Sequence, residues 1–197
     1  MSVPNAVLVL ASGSAARRAM LAAAGVPHEA VPARVDEAMA KASLAAEGAS
    51  PRDTADALAE MKALSVRGPR VLGADQVLVH DGALLSKPRD PDEAVAQLRR
   101  LSGATHDLLS AAVIAEDGRP TWRHVSRARM TMRALSDAWI DAYVARHWDD
   151  IRHGVGGYRI EAEGVRLFAR IEGDHWTILG LPLLPLLNHL VTIGALE

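Results

Sequence analysis

Short apolar runs alternate along this chain with stretches whose apolar residues recur every three or four positions, a pattern that predicts strands interleaved with helices. Ala6–Leu10 is an apolar run suited to a buried parallel strand, broken by Ala11-Ser12-Gly13-Ser14. A helix follows, with Ser14 as its cap, Met20 and Leu21 on its apolar face and Gly25 placed to end it. A short strand near Glu29–Pro32 precedes a helix opened by Val35-Asp36-Glu37 and running to Glu47. Ser50-Pro51 starts another, whose face is Leu58, Met61 and Leu64 with Lys62 beside it. Val71–Pro88 reads as a β-hairpin that reverses at His80-Asp81-Gly82. Asp90-Pro91 opens a helix through Val95 and Leu98 to Leu101, closed by Ser102-Gly103. His106–Ala115 and Thr121–Met132 are two strands about the turn Glu116-Asp117-Gly118, and Ser136 caps a helix carrying Trp139, Ile140 and Tyr143. After a glycine-rich loop at His153–Tyr158, Val165–Ile171 and Trp176–Leu179 are expected to pair as a hairpin around Gly173-Asp174, and Pro182 begins a leucine-rich final helix. The fold class implied is α/β with a mixed sheet.

Two places in this pattern carry chemistry. Asp75 interrupts the first apolar arm of the hairpin, where an unpaired carboxylate is costly to bury. Lys87 on the facing arm or a divalent metal would meet it, or it is a strand-end Asp satisfied by backbone N–H groups. The other place is the first strand, its Ser/Gly loop and the helix N-terminus, where free N–H groups and the helix dipole favour an anion. Arg17 and Arg18 in the first turn oppose that dipole unless an anion lies between. The loop has neither P-loop nor dinucleotide spacing, and a Ser-capped helix with solvated arginines accounts for it equally well. Asp36 and Glu37 also serve as ordinary dipole partners at a helix start, and Lys62 as a snorkelling surface lysine. Arg123, Arg127, Arg129 and Arg133 fall on one face of a strand, read as solvated and open to a partner.

Composition narrows the classes. A length of 197 residues, about half of them apolar, suits one domain or two lobes sharing a core. With no cysteine there are no disulfides, thiolate metal sites or thiol nucleophiles, which fits a reducing cytoplasm. A net charge of −2 and a pI near 6.4 argue against a surface that coats nucleic acid. No apolar stretch approaches the roughly 20 residues of a membrane span, and no signal peptide is read at the N-terminus. The eight histidines show no metal-ligand spacing, and no G-x-S-x-G elbow occurs.

Taken in order, "LASGSAARRAML", "VDE" at 35–37, "LAEMKA" at 58–63, "GADQVLVHDGALLSKP" at 73–88, "LSGATH" at 101–106 and "IEGDHWTILGLPLLPLL" at 171–187 resemble the Maf family of nucleoside triphosphate pyrophosphatases over nearly the whole chain. The resemblance implies one domain over 1–197, with a mixed twisted sheet in two lobes around a central nucleotide cleft, and often a homodimer. It implies hydrolysis of a nucleoside triphosphate between the α and β phosphates, with Mg²⁺ or Mn²⁺ as cofactor. By position, Asp75 resembles the catalytic carboxylate, as base or metal ligand, and Glu37 a second acidic group at the metal. Ser12, Arg17, Lys62 and Lys87 resemble the phosphate-holding set. Ala15 and Ala16 depart from the family's Pro followed by Arg, Trp or Tyr, which bears on the contact to the base. Gln76 and Glu161 match the subgroup that resembles 7-methylguanosine triphosphatases, whereas the pyrimidine triphosphatase subgroup tends to have Thr or Ser and Gln. A pyrimidine-specific enzyme of the same family and a non-catalytic inhibitor of septum formation are the alternatives.

Overall fold

The computed structural model describes residues 8–197; Ala6 and Val7 of the first expected strand lie outside the described residues. In chain order the elements are β1 (Leu8–Ala11), α1 (Ala15–Ala23), β2 (His28–Ala30), α2 (Glu37–Ala46), α3 (Pro51–Leu64), β3 (Val71–His80), β4 (Ala83–Leu85) and α4 (Pro91–Leu101). There follow β5 (Thr105–Glu116), β6 (Arg119–Met132), α5 (Asp137–Ile151), a 3₁₀ turn (Glu163–Leu167), β7 (Phe168–Glu172), α6 (His175–Ile178) and α7 (Leu183–Thr192). The strands form one mixed seven-stranded sheet, ordered β2-β1-β3-β5-β6-β7, with β4 paired to β3. The α/β class expected from the pattern is the class observed.

The chain divides into two units. The first comprises residues up to 76, 109–126 and 174–197. Here β1 runs parallel to β2 and to β3, with Leu10 opposite Ala30 on one side and Leu72 on the other. Strand periodicity then sorts β3. Leu72 and Ala74 join Leu10, Leu21, Leu181 and Leu186 in one apolar cluster. Gly73 and Asp75 point to the opposite face, where α3 lies. A Cβ at Gly73 would stand 2.0 Å from the Ala59 carbonyl oxygen, so only glycine lets α3 press this closely on the strand. The helix caps follow the sequence: Ser14, Asp36 and Ser50 accept the N–H of Arg17, Met39 and Asp53.

The second unit comprises residues 77–108 and 127–173. The end of β3 pairs antiparallel with β4, Leu78 opposite Leu85 and His80 opposite Ala83, so the expected hairpin forms but is shorter than its apolar arms suggested. α4 packs on α5, and β7 pairs with β6. The expected hairpin of Val165–Ile171 with Trp176–Leu179 does not form. Asp174 instead accepts the N–H of Thr177 at 2.7 Å, and this N-cap winds 175–178 into a helical turn.

His106 is buried in this unit, its ring 5.7 Å from that of Tyr158 and 6.1 Å from that of Phe168. Its Nε2 is 2.7 Å from the Tyr158 hydroxyl, and its Nδ1 has no partner among the described residues. Burial, reinforced by His80 and opposed by Asp107, pushes its pKa down to about 4. The unfolded chain therefore takes up a proton near pH 6.5 that the folded chain refuses until about pH 4. This group's contribution to stability is intact above pH 6.5 and is lost as pH falls toward 4, by about 3 kcal/mol in all. Urea unfolding of wild type and His106→Gln between pH 7.5 and 4.5 checks it: the wild-type slope should be the steeper, and equal slopes would refute the assignment.

Candidate active site

Three elements of the first unit bring one lysine between two carboxylates. β3 presents Asp75 toward α3, and α3 presents Lys62 toward β3; Glu37 is the first residue of α2. The Lys62 ammonium lies 2.5 Å from Asp75 Oδ1 and 2.7 Å from Glu37 Oε1. Asp75 and Lys62 are 3 % and 7 % exposed, while Glu37 is partly open to solvent. Asp36 does the capping next to it, which leaves the Glu37 side chain for Lys62. One cation cannot neutralise two anions, so the cluster retains about one negative charge by formal count. Asp75 Oδ2 is buried and accepts no hydrogen bond from the described residues, a basic atom held without a donor among them.

The loop after β1 supplies the next component. The Arg17 Nε donates to the Gly180 carbonyl at 2.8 Å and Nη1 to Ser12 Oγ at 3.3 Å. Ser12 Oγ also accepts the N–H of Ser14, 3.2 Å away. Burial lowers the pKa of Arg17 from its ordinary value, while the negative charge of Asp75, then of Glu37, acts to raise it. The guanidinium thus feels both carboxylates. Its remaining N–H donors suit an anion at the start of α1. Arg18 is exposed on the same turn.

Gln76, next to Asp75, points to the opposite face. Its Nε2 donates to Ser110 Oγ at 3.0 Å and to the carbonyls of Thr177 and Ile178 at 3.0 and 2.9 Å. Ala16 is half-buried on α1.

Lys87, Glu161, Arg127, Arg129 and Arg133 belong to the second unit, and Arg123 to the first. Lys87 is exposed beyond the end of β4, rather than on a paired arm facing Asp75, because pairing stops at Leu85. The carbonyl of its neighbour Ser86 accepts from Gln97 Nε2 at 3.0 Å, anchoring the loop to α4. Glu161 is exposed and lies 3.1 Å from the Nε of Arg159, whose Nη1 also reaches Asp150. The arginines of β6 are exposed but not all free: Arg123 bonds Asp56 and Glu60 of α3, and Arg129 bonds Asp107 through two nitrogens.

Sequence reasoning missed Ser110, Asp174, Thr177 and Gly180, which hold Gln76 and Arg17. Ser110 left a signal, a lone hydroxyl inside the apolar run Leu108–Ala115 that must find a partner when buried.

Asp75 and Glu37 suit a hard divalent cation. Mg²⁺ is commonly held by one or two carboxylates plus substrate phosphates and water, and here two carboxylates already converge on one cationic group. The unpartnered Oδ2 of Asp75 offers a further oxygen. Among the described residues no cluster of three or more His, Cys, Asp or Glu forms a self-sufficient metal cage.

Known proteins supply the remaining finding. The Maf family, described as "Maf-like protein", matches residues 7–193. A protein named nucleoside triphosphate pyrophosphatase from Ruegeria pomeroyi is 56% identical over the full length of both chains. One of the same name from Roseobacter denitrificans is 58% identical over 96% of this chain and 97% of its own. A 7-methyl-GTP pyrophosphatase from Rhizobium meliloti is 47% identical over 97% of this chain and 98% of its own. Likeness of that extent, end to end and across every segment that builds the lysine–carboxylate cluster and the arginine loop, establishes that the chain belongs to the Maf family.

Proposed function

We propose that this chain is a nucleoside triphosphate pyrophosphatase that adds water across the anhydride between the α and β phosphates, releasing a nucleoside monophosphate and pyrophosphate. The observation that carries the reading is the buried pair Asp75–Lys62 with Glu37 on the same ammonium, beside an arginine that has N–H donors to spare. The names of the full-length relatives agree with it.

In this reading each side chain has a definite task. Ser12 and Arg17, with Lys62 and Lys87, bind the phosphate oxygens and oppose the charge that builds up as the anhydride bond breaks. Lys62 also orients Asp75 by holding Oδ1, which leaves Oδ2 either to take a proton from the attacking water or to bind the metal. Asp75 and Glu37 are the residues that would hold Mg²⁺ or Mn²⁺, which lowers the pKa of a bound water and offsets phosphate charge.

The substrate base we infer is 7-methylguanine. Three acceptors surround the amide nitrogen of Gln76, which leaves its carbonyl oxygen as the group it can offer a ligand. That is an acceptor, to which guanine offers two adjacent donors, N1–H and N2–H, and uracil and thymine offer one, N3–H, between two acceptors. Glu161 is a second acceptor, and its charge favours the cationic methylated ring. Ala16 favours the second reading, a pyrimidine triphosphatase, because it gives a cationic base no aromatic face to stack on. The same proposal takes the two units as one domain, often paired as a homodimer in the family, working in the cytoplasm. Among the described residues no helix is long and apolar enough to cross a membrane.

Pyrophosphate release from a panel of triphosphates with Mg²⁺ or Mn²⁺ tests both levels. Release from none would refute the hydrolase and favour a non-catalytic role in cell division. The expected order of kcat/KM is 7-methyl-GTP above UTP and dTTP, with the gap narrowed in Glu161→Gln. A wild type more efficient on the pyrimidines would overturn the base assignment and keep the hydrolase.

A further inference from the structure

The segment Gly173–Pro182, part of a motif that carries the family resemblance, supplies backbone carbonyls to Arg17 and Gln76 and no side chain to the substrate. α6 is only four residues long, too short to hold itself as a helix. Both oxygens of Asp174 fix it: Oδ1 accepts the Thr177 N–H at 2.7 Å and Oδ2 the Thr177 hydroxyl at 2.6 Å. Thr177 is fully buried, and its carbonyl faces the sheet, where it accepts from Ser110 Oγ at 2.7 Å and from Gln76 Nε2 at 3.0 Å. Ile178 adds a second carbonyl to Gln76. Two residues later Gly180, at φ +97°, turns its carbonyl onto Arg17 Nε. A Cβ there would lie 3.4 Å from Arg17 Nη2 and 3.8 Å from the Gln76 amide carbon, so the turn is packed directly against both side chains.

We propose that Asp174 is a positioning residue for hydrolysis: by locking the 174–180 turn through Thr177, it aims the Gly180 carbonyl that orients the Arg17 guanidinium and the two carbonyls that orient Gln76. The inference rests on the reading that Arg17 holds substrate phosphate. Asp174 touches no substrate in this scheme. Its effect passes entirely through the backbone of the turn.

This makes a coupling that general destabilisation would not produce. Binding of an α,β-methylene nucleoside triphosphate and kcat/KM for pyrophosphate release are measured for wild type, Asp174→Ala, Thr177→Val, Thr177→Ser and Arg17→Ala, and for Asp174→Ala combined with Arg17→Ala. Asp174→Ala and Thr177→Val should each weaken analogue binding and lower kcat/KM by about tenfold, since misplacing a binding group by a fraction of an ångström is costly. Thr177→Ser keeps the hydroxyl and should restore wild-type values. In the Arg17→Ala background the Asp174 change should add about threefold instead of tenfold, the part carried by Arg17 being already lost and the part carried by Gln76 remaining.

Multiplying effects in the double variant, or a wild-type Asp174→Ala, would overturn the proposal. Should Asp174→Ala fail to fold, the contrast of Thr177→Val with Thr177→Ser, and Thr177→Val with and without Arg17→Ala, decides it by the same criteria. A wild type that binds the analogue yet releases no pyrophosphate would refute the hydrolase while leaving the coupling readable in binding; no analogue binding at all would overturn both.

Discussion

Replacing Asp75 with asparagine is expected to lower kcat for pyrophosphate release by about 10²- to 10⁴-fold, the range for loss of a general base, with loss of a metal ligand adding to it. The substitution keeps size and shape, and the amide oxygen can still accept from Lys62 in the place of Oδ1. What disappears is the second, unpartnered oxygen, replaced by an NH₂ that donates and cannot take a proton. The charge count also argues that the fold survives. In wild type one ammonium serves two carboxylates, and in Asp75→Asn it serves Glu37 alone, a balanced pair. Thermal unfolding of the variant should therefore lie close to wild type while turnover collapses. Near wild-type turnover would sink the assignment of Asp75.

The contrast between Asp75 and its expected partner shows what the sequence could and could not disclose. That a buried aspartate inside an apolar arm needs a cation is a local statement, and it holds: Asp75 is buried and bonded to an ammonium. Which cation is not local. Lys87 looks closest because a hairpin folds sequence neighbours onto each other, yet β3 pairs with β4 only from Leu78 onward. The lysine that reaches Asp75 comes from α3, and Gly73 permits it by letting that helix settle against the strand. Glu37 illustrates the same limit. Two adjacent acids at a helix start look alike in sequence, and only the structure separates Asp36, bonded to the Met39 N–H, from Glu37, bonded to Lys62.

Element types with strong local signals were legible. Ser14, Ser50 and Ser136 cap the helices expected of them, and Asp90 caps the helix expected to start there. The segment 175–178 was misread because His-Trp-Thr-Ile has the branched and aromatic character of a strand, whereas one side chain, Asp174, supplies the bonds that wind it. A capping residue outranks propensity when the segment is this short. The same misreading hid the turn that holds Arg17 and Gln76, since a hairpin there would have sent its carbonyls to another strand.

Lys62→Met should be the most damaging single change to the fold. Methionine nearly matches the length of the lysine stem and keeps its packing on α3, but it removes the ammonium bonded to buried Asp75 and leaves only the longer-range charge of Arg17. Removing one partner of a buried ion pair costs about 3–5 kcal/mol, roughly 10 °C in the unfolding midpoint for a chain of this size. A divalent cation offers a rescue, since the two carboxylates have lost their shared lysine, and added Mg²⁺ or Mn²⁺ should raise the midpoint of Lys62→Met more than that of wild type. Differential scanning calorimetry at pH 7.5, with and without metal, reads both effects. A variant that melts like wild type at pH 7.5 would show that the Lys62–Asp75 contact contributes nothing to the fold, and the charge argument built on it would fall.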